Sequence, residues 1–233
     1  MTRLLVLGHG RMGQLVESLA PDNGCEVVQI ITGAGGPMAI ERLDVQVDVA
    51  IDFTTPDAVL GNVVVLSRRG INVVIGTTGW HAVHDEVRGV VLQSGIGALA
   101  ASNFSIGLHV FRRAVAAAAA GFSSDARVGA WVHEAHHIHK KDAPSGTAVT
   151  LRTTMEEAGY TRAIDMSSTR AGSIPGTHTV GFDGPSETVT LTHTVRDRAV
   201  FARGALDVAC WLVCRRGWFT MDDYLNDQGE TRR

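Results

Sequence analysis

Residues 4–16 read LLVLGHGRMGQLV, and they constrain the fold more than any other stretch of this chain. Leu4–Leu7 is a short apolar run of strand length, and Met12–Leu19 has helical periodicity. Between them lie Gly8, His9, Gly10, Arg11, Met12 and Gly13, a G-x-G-x-x-G loop set directly between strand and helix. In that context Gly8 permits the tight turn and Gly10 lets backbone approach a pyrophosphate. Gly13 lets the helix pack closely on the strand. The unsatisfied amides and dipole of the helix start favour the phosphate charge. The loop therefore predicts a Rossmann-type βαβ unit with room for a dinucleotide.

The pattern repeats. Glu26–Ile31, Val47–Phe53, Ile71–Ile75 and Ile96–Ala101 read as strands. Helices are expected from Thr54-Thr55-Pro56, a hydroxyl cap with proline just inside, to Gly70, and over His81–Gln93. This β-α order predicts a parallel, doubly wound sheet. After Asn103 it changes: a helix from Ser105 to about Ala120, an alternating strand Ala126–Val132, a helix Gly146–Ala158, then strands His178–Phe182 and Glu187–Val195. An apolar helix Phe201–Cys214 is expected to pack back on the first lobe, with Gln228–Arg233 a frayed tail. The expected fold is α/β: an N-terminal dinucleotide-binding domain over 1–104, a smaller α+β domain over 105–200, and a returning segment over 201–233.

Composition narrows the function classes. With 21 basic against 24 acidic residues, the formal charge is −3. That balance gives no footprint for nucleic acid or an anionic membrane. No apolar run nears the roughly 18 residues of a membrane span, and no secretory leader is expected. A cytoplasmic location is expected. Cys25, Cys210 and Cys214 form no zinc spacing; they read as buried thiols, with Cys210 and Cys214 on one helical face.

Part of the dinucleotide fingerprint is missing. A ribose-binding acid is expected after the second strand, but Thr32 and Gly33 stand there, and Glu26 lies at the strand's wrong end. Either NADH or NADPH fits this reading. Gly76, Thr77 and Thr78, and then Ala101, Ser102, Asn103 and Phe104, follow later strands, at the carboxyl ends where open α/β sheets bind ligands.

HEAHHIHKKDAPSGTA, residues 133–148, raises a separate question. Four of the ten histidines fall in its first seven residues. His133–His137 matches H-E-x-x-H, but a zinc site of that type needs a helix. ARVGAWV upstream alternates like a strand, Asp142-Ala143-Pro144-Ser145-Gly146 breaks helices downstream, and no third ligand follows at a familiar spacing. No metal is expected. A solvated polar loop would account for the histidines and lysines but not for the loop's ending. Ser145, Gly146 and Thr147 start a helix whose free amides favour an anion, with His137, Lys140 and Lys141 just upstream. That composition suits a carboxylate or phosphate.

EAHHIHKKDAPSGTA resembles the signature of the 4-hydroxy-tetrahydrodipicolinate (dihydrodipicolinate) reductase family. So do GHGRMG, VAIDFTTPDAV, VVIGTTGW, ASNFSIG, GTHTVGF, LTHTVRDRAVFARGAL and FTMDDYL. The resemblance implies NAD(P)H-dependent reduction of a small cyclic imine dicarboxylate in the diaminopimelate/lysine pathway, by a homotetramer built through the second lobe. It places the proton donor on His136 and the catalytic lysine on Lys140. Substrate carboxylates fall to His137, Ser145, Gly146 and Thr147. The cofactor would be lined by Gly8–Gly13, Thr32, Gly76–Thr78 and Ala101–Phe104. A histidine near pKa 6.5 can supply a proton at neutral pH. No role follows from the sequence for Glu134, and Asp142 reads as an Asx turn. The alternatives are an amino-acid dehydrogenase of the aspartate or homoserine type, which does not need HHIHKKDAPSGTA, and a nucleotide-sensing paralogue without turnover.

Overall fold

The computed structural model describes residues 1–33 and 35–230. The chain forms two compact units: Met1–Ile106 with the segment from Ala199 onward, and Gly107–Arg198.

The first unit is a six-stranded, wholly parallel sheet. Its strands and helices run β1 (Thr2–Leu7), α1 (Arg11–Leu19), β2 (Cys25–Ile31), α2 (Gly36–Glu41), β3 (Val49–Asp52), α3 (Pro56–Arg68), β4 (Asn72–Ile75), α4 (His84–Ser94) and β5 (Gly97–Ala100). From the C-terminal segment come α7 (Ala199–Leu212), β10 (Gly217–Phe219) and α8 (Met221–Glu230). The sheet order is β10-β5-β4-β3-β1-β2. The order reverses at β1, so the loop after β1 sits at the crevice where such sheets bind ligands. β3 and β4 are buried at every position, as strands covered on both faces must be. One core layer joins Leu4, Val6, Val16 and Ile51 to Ala205, Val208 and Leu212 of α7. The other joins Leu5, Ala50 and Ile75 to Val63 of α3 and Val87 of α4.

The second unit holds α5 from Gly107 on (whole helix Ile106–Phe122), β6 (Gly129–His136), α6 (Gly146–Glu157), β7 (Ile164–Arg170), β8 (Thr177–Asp183) and β9 (Thr188–Thr194). Its sheet order is β7-β6-β8-β9; β6 pairs β7 in parallel, and the other two pairings are antiparallel. Inward residues Ala130, Val132, Val180 and Phe182 pack on Phe111, Val115, Leu151 and Met155 of α5 and α6.

Several elements differ from the sequence expectation. β6 does not end at Val132 but continues to His136, because β7 and β8 pair with it on both sides through Ala135. β7 is unexpected: IDMSSTR has two apolar residues and lies at the sheet edge, so its partner rather than its pattern makes it a strand. α2, β10 and α8 are also additions. Helix α8 is polar, with Thr220 and Asp223 capping each other reciprocally (Thr220 N to Asp223 Oδ2 2.7 Å, Asp223 N to Thr220 Oγ1 3.3 Å). It takes in Gln228–Glu230 of the expected tail; residues 231–233 lie outside the described residues. Helix α7 stops at Leu212, and Cys214 turns left-handed (φ 63°), so Cys210 and Cys214 do not share a helical face. Of the three thiols, only Cys25 is buried.

Candidate active site

In the first unit, the carboxyl ends of the strands gather the expected dinucleotide residues. Gly8 follows β1, Thr32 follows β2, Gly76 follows β4 and Ala101 follows β5. Backbone bonds knit these ends: Gly8 N to Ile31 O (2.9 Å), Gly76 N to Asp52 O (2.9 Å) and Ala101 N to Ile75 O (3.1 Å). Gly8 has φ +87°, and a Cβ there would stand 2.4 Å from the Phe53 carbonyl oxygen; a Cβ on Gly13 would stand 2.0 Å from the Gly8 oxygen. At Gly10, by contrast, nothing lies within 4 Å of a Cβ position, and no side chain caps α1. The loop is thus forced close where helix meets strand, and left open where the helix amides begin. That cradle fits a pyrophosphate.

Other expected residues engage their side chains in contacts within the chain. His9 Nε2 pairs with Glu17 (2.7 Å), Met12 packs on the core and Phe104 is buried in it, so only the backbone of Phe104 is open to a ligand role. Asn103 Oδ1 accepts the Ser105 amide (2.8 Å). Arg11 and Ser102 are exposed, and Thr78 follows the buried Thr77 into the turn. Thr32 is exposed beside Gly33 (φ +80°). Asp52, at the end of β3, carries no motif that marks it. Its buried carboxylate accepts Thr54 N (2.9 Å), Thr77 Oγ1 (2.9 Å) and Asn62 Nδ2 (3.0 Å). It ties the Thr77 turn to α3.

The second unit holds the histidine-rich segment. Because β6 runs through His136, Glu134 and His136 point to the same, inward face. Both are buried at the polar end of a strand whose earlier inward residues are Ala130 and Val132. Register then brings the neighbours in: His136 is opposite Arg170 on β7, and Glu134 is opposite His178 on β8. Glu134 Oε2 accepts a hydrogen bond from His136 Nδ1. Arg170 donates Nη1 to Oε2 (3.0 Å) and Nη2 to Oε1 (2.6 Å) of the same carboxylate, and the Ser145 amide reaches Oε1 (3.3 Å). Ser145 caps α6, its Oγ accepting Ala148 N (3.2 Å) while meeting His178 Nε2 (3.1 Å). The His136 and His178 rings cross at 71° with centroids 5.1 Å apart.

These contacts set the charges. Burial opposes ionisation of Glu134, but hydrogen bonds from Arg170, Ser168 and His136 outweigh it and hold the carboxyl at about 2. Burial pulls the His136 imidazole below its ordinary 6.5; Glu134 opposes this, and the Lys140 and Arg170 charges reinforce it. At neutral pH the pair is therefore carboxylate and neutral imidazole, with Nδ1–H given to Glu134 and Nε2 left to exchange a proton. This corrects the expectation of a histidine near 6.5. Burial likewise lowers His178 to about 4.

Lys140 does not stand alone. Its Nζ contacts both Asp142 oxygens (2.8 and 2.9 Å), and that hydrogen bond lowers the Asp142 carboxyl. Asp142 is an ion-pair partner rather than only a turn former. His137 follows the end of β6 and is half-buried; Gly146 and Thr147 form the first turn of α6, as expected. The structure thus gathers His136 and Ser145 around Glu134, and adds Arg170 and His178. GTHTVGF contains His178, but only strand pairing assigns it a neighbour; nothing in IDMSSTR marks Arg170.

The H-E-x-x-H reading does not survive the geometry. Four residues of extended chain span about 13 Å, so His133 and His137 do not meet on one ion. His133 instead pairs with Ser167 (2.8 Å). Among the described residues, Glu134, His136 and His178 place ligand-type atoms within 4.8 Å of one another. The Arg170 guanidinium on that same carboxylate opposes a cation there.

Comparison with known proteins follows the same division. Residues 2–104 match the family model for the dihydrodipicolinate reductase N-terminus, and residues 107–225 match the model for its C-terminus. The chain is 32% identical over 238 residues to a 4-hydroxy-tetrahydrodipicolinate reductase of Christiangramia forsetii (96% of this chain, 98% of that one). It is 35% identical over 256 residues to the enzyme of that name from Methanocorpusculum labreanum (97% and 99%). A dipicolinate-bound dihydrodipicolinate reductase from Paenisporosarcina sp. TG-14 shares the fold, with TM-score 0.80, 22% identity and coverage of 94% and 97%.

Proposed function

The chain belongs to the dihydrodipicolinate reductase family, and we propose that it reduces 4-hydroxy-tetrahydrodipicolinate to tetrahydrodipicolinate in the diaminopimelate/lysine pathway, using NADH or NADPH. The observation that carries the reading is the Glu134–His136 pair beside the Ser145-capped start of α6, within a segment that also supplies Lys140. A dicarboxylate needs two cationic or amide-rich holds and a proton source, and this segment supplies all three.

When bound, the reduced nicotinamide supplies the hydride. The backbone of Gly8–Gly13, Gly76–Thr78 and Ala101–Phe104 holds the dinucleotide at the carboxyl edge of the parallel sheet. Lys140 exchanges its Asp142 partner for one substrate carboxylate. The other carboxylate rests on His137 and on the Gly146 and Thr147 amides at the start of α6. Glu134, fixed by Arg170, holds Nδ1–H of His136, so the proton moves at Nε2. The free imidazole is neutral at pH 7; a dianionic substrate beside it raises its proton affinity and makes it the acid. Ser145 acts by capping α6 and by its bond to His178.

A cytoplasmic homotetramer completes the reading. The outer row of β9, Thr188, Thr190, Thr192 and Thr194, is exposed, and Thr194 and Thr192 meet Thr177 and Thr179 across the strands (3.3 and 3.2 Å), a hydroxyl-rich surface suited to a second copy. No described helix is long and apolar enough to cross a membrane. The test is turnover of freshly synthesised substrate with each nucleotide, with and without chelator, alongside sedimentation of the intact protein. Chelator-insensitive turnover by a tetramer is expected. Nucleotide binding without turnover would favour a sensing paralogue.

A further inference from the structure

Away from these residues, Cys25 and Cys210 place their sulfurs 3.2 Å apart, although 185 positions separate them. Cys25 opens β2 and is fully buried; Cys210 lies in the last turn of α7 and is half-buried. Both thiols turn to one acceptor, the Asn23 carbonyl, at 3.5 and 3.7 Å. The two side chains are therefore aimed at each other from a sheet-edge strand and from the helix that closes that sheet. A disulfide needs about 2.05 Å between sulfurs, an approach of roughly 1 Å. The chemistry is graded between them. The contact between the sulfurs lowers the Cys210 thiol, against burial and with help from Thr2, while the same contact and burial raise Cys25. Cys210 is the less buried of the two.

We propose that Cys25 and Cys210 form a peroxide-driven, reversible staple that fastens α7 to β2. Cys210 thiolate attacks one oxygen of hydrogen peroxide. The O–O bond breaks, the leaving hydroxide takes a proton to become water, and Cys210 becomes a sulfenic acid. The Cys25 sulfur then attacks the Cys210 sulfur as its thiol proton leaves. The S–O bond breaks, and a second water departs. Two thiols and one peroxide give one disulfide and two waters. The staple sits at the amino-terminal end of β2, whereas Thr32 follows its carboxyl end. Seven residues of strand put roughly 20 Å between them. Oxidation should therefore raise thermal stability and leave turnover intact. Cys214, exposed beyond the helix end, is the internal control.

The test treats the full-length protein with a small excess of hydrogen peroxide, then maps peptides without reduction. A Cys25–Cys210 link is expected, 2 Da lighter than the two thiol peptides and reversed by dithiothreitol. Tm should rise by about 5 °C or more, with kcat and nucleotide KM unchanged. Cys214→Ser should keep the link and the shift. Cys210→Ser should abolish both, and Cys25→Ser should leave a Cys210 sulfenic acid that dimedone captures. Oxidation confined to Cys214, a link between chains only, or a link with no change in Tm would each overturn the proposal.

Discussion

Arg170 and Glu134 form a two-pronged ion pair inside the second sheet, Nη2 to Oε1 at 2.6 Å and Nη1 to Oε2 at 3.0 Å. Glu134 is fully buried and Arg170 side-chain exposure is 18%. The carboxylate that orients His136 is thus held by an arginine from the neighbouring strand. Arg170→Met should leave that carboxylate uncompensated and destabilise the protein by about 3–5 kcal/mol. The double variant Glu134→Gln/Arg170→Met should recover part of the loss. Urea unfolding of both settles it; a cost below about 1 kcal/mol for Arg170→Met would show that water already serves Glu134.

His136→Gln keeps volume and polarity but donates no acidic proton. It should lower kcat by roughly 10²–10⁴-fold with a smaller change in KM. A primary isotope effect with deuterated cofactor must show that chemistry limits each variant. The pH profile adds a second check. A proton donor must be protonated, so kcat/KM should fall as pH rises through the free-enzyme pKa, which burial places below 6.5. A descending limb above about 7.5 would assign the proton elsewhere, with Lys140 the first suspect.

Asp142 holds the Lys140 ammonium at the surface, with 55% and 23% side-chain exposure. If a substrate carboxylate displaces Asp142, then Asp142→Asn should lower substrate KM about 2- to 5-fold, the scale of an exposed ion pair. An unchanged or raised KM would mean that Asp142 positions Lys140 rather than competing for it.

Thr32 gives the ribose neither an anion for a 2′-hydroxyl nor a cation for a 2′-phosphate. NADH and NADPH should be used within about 100-fold of each other, or 2.7 kcal/mol. Thr32→Glu should shift the ratio of kcat/KM values toward NADH. A stronger wild-type preference would locate the ribose contact on another residue.

His178 is buried, and its folded-state pKa of about 4 lies below the ordinary 6.5. Between those values the unfolded chain binds more protons, so stability is present above pH 6.5 and drains as pH falls toward 4. The group accounts for about 3 kcal/mol at most. Denaturant midpoints from pH 7 to 4 should fall in the wild type and fall less steeply in His178→Gln, where His136 and His193, also lowered by burial, keep part of the slope; parallel slopes would acquit His178.

Much of the first unit was legible because its signals are local. A G-x-G-x-x-G loop between an apolar run and an amphipathic helix states strand, turn, helix and phosphate cradle within sixteen residues, and Gly8 and Gly13 sit where backbone contacts admit no Cβ. In the signature segment residue order marked the Ser145 helix start, while His136 and Lys140 were singled out through the family resemblance. The pairings that give these residues their properties were not local. Arg170 and His178 reach Glu134 and His136 only because β7 and β8 flank β6 in one register, and sequence spacing carries no register between strands. The depressed His136 pKa and the meeting of Cys25 with Cys210 across 185 positions have the same origin. Each depends on burial and on distance through space, and these exist only once the strands have paired and the helices have covered them.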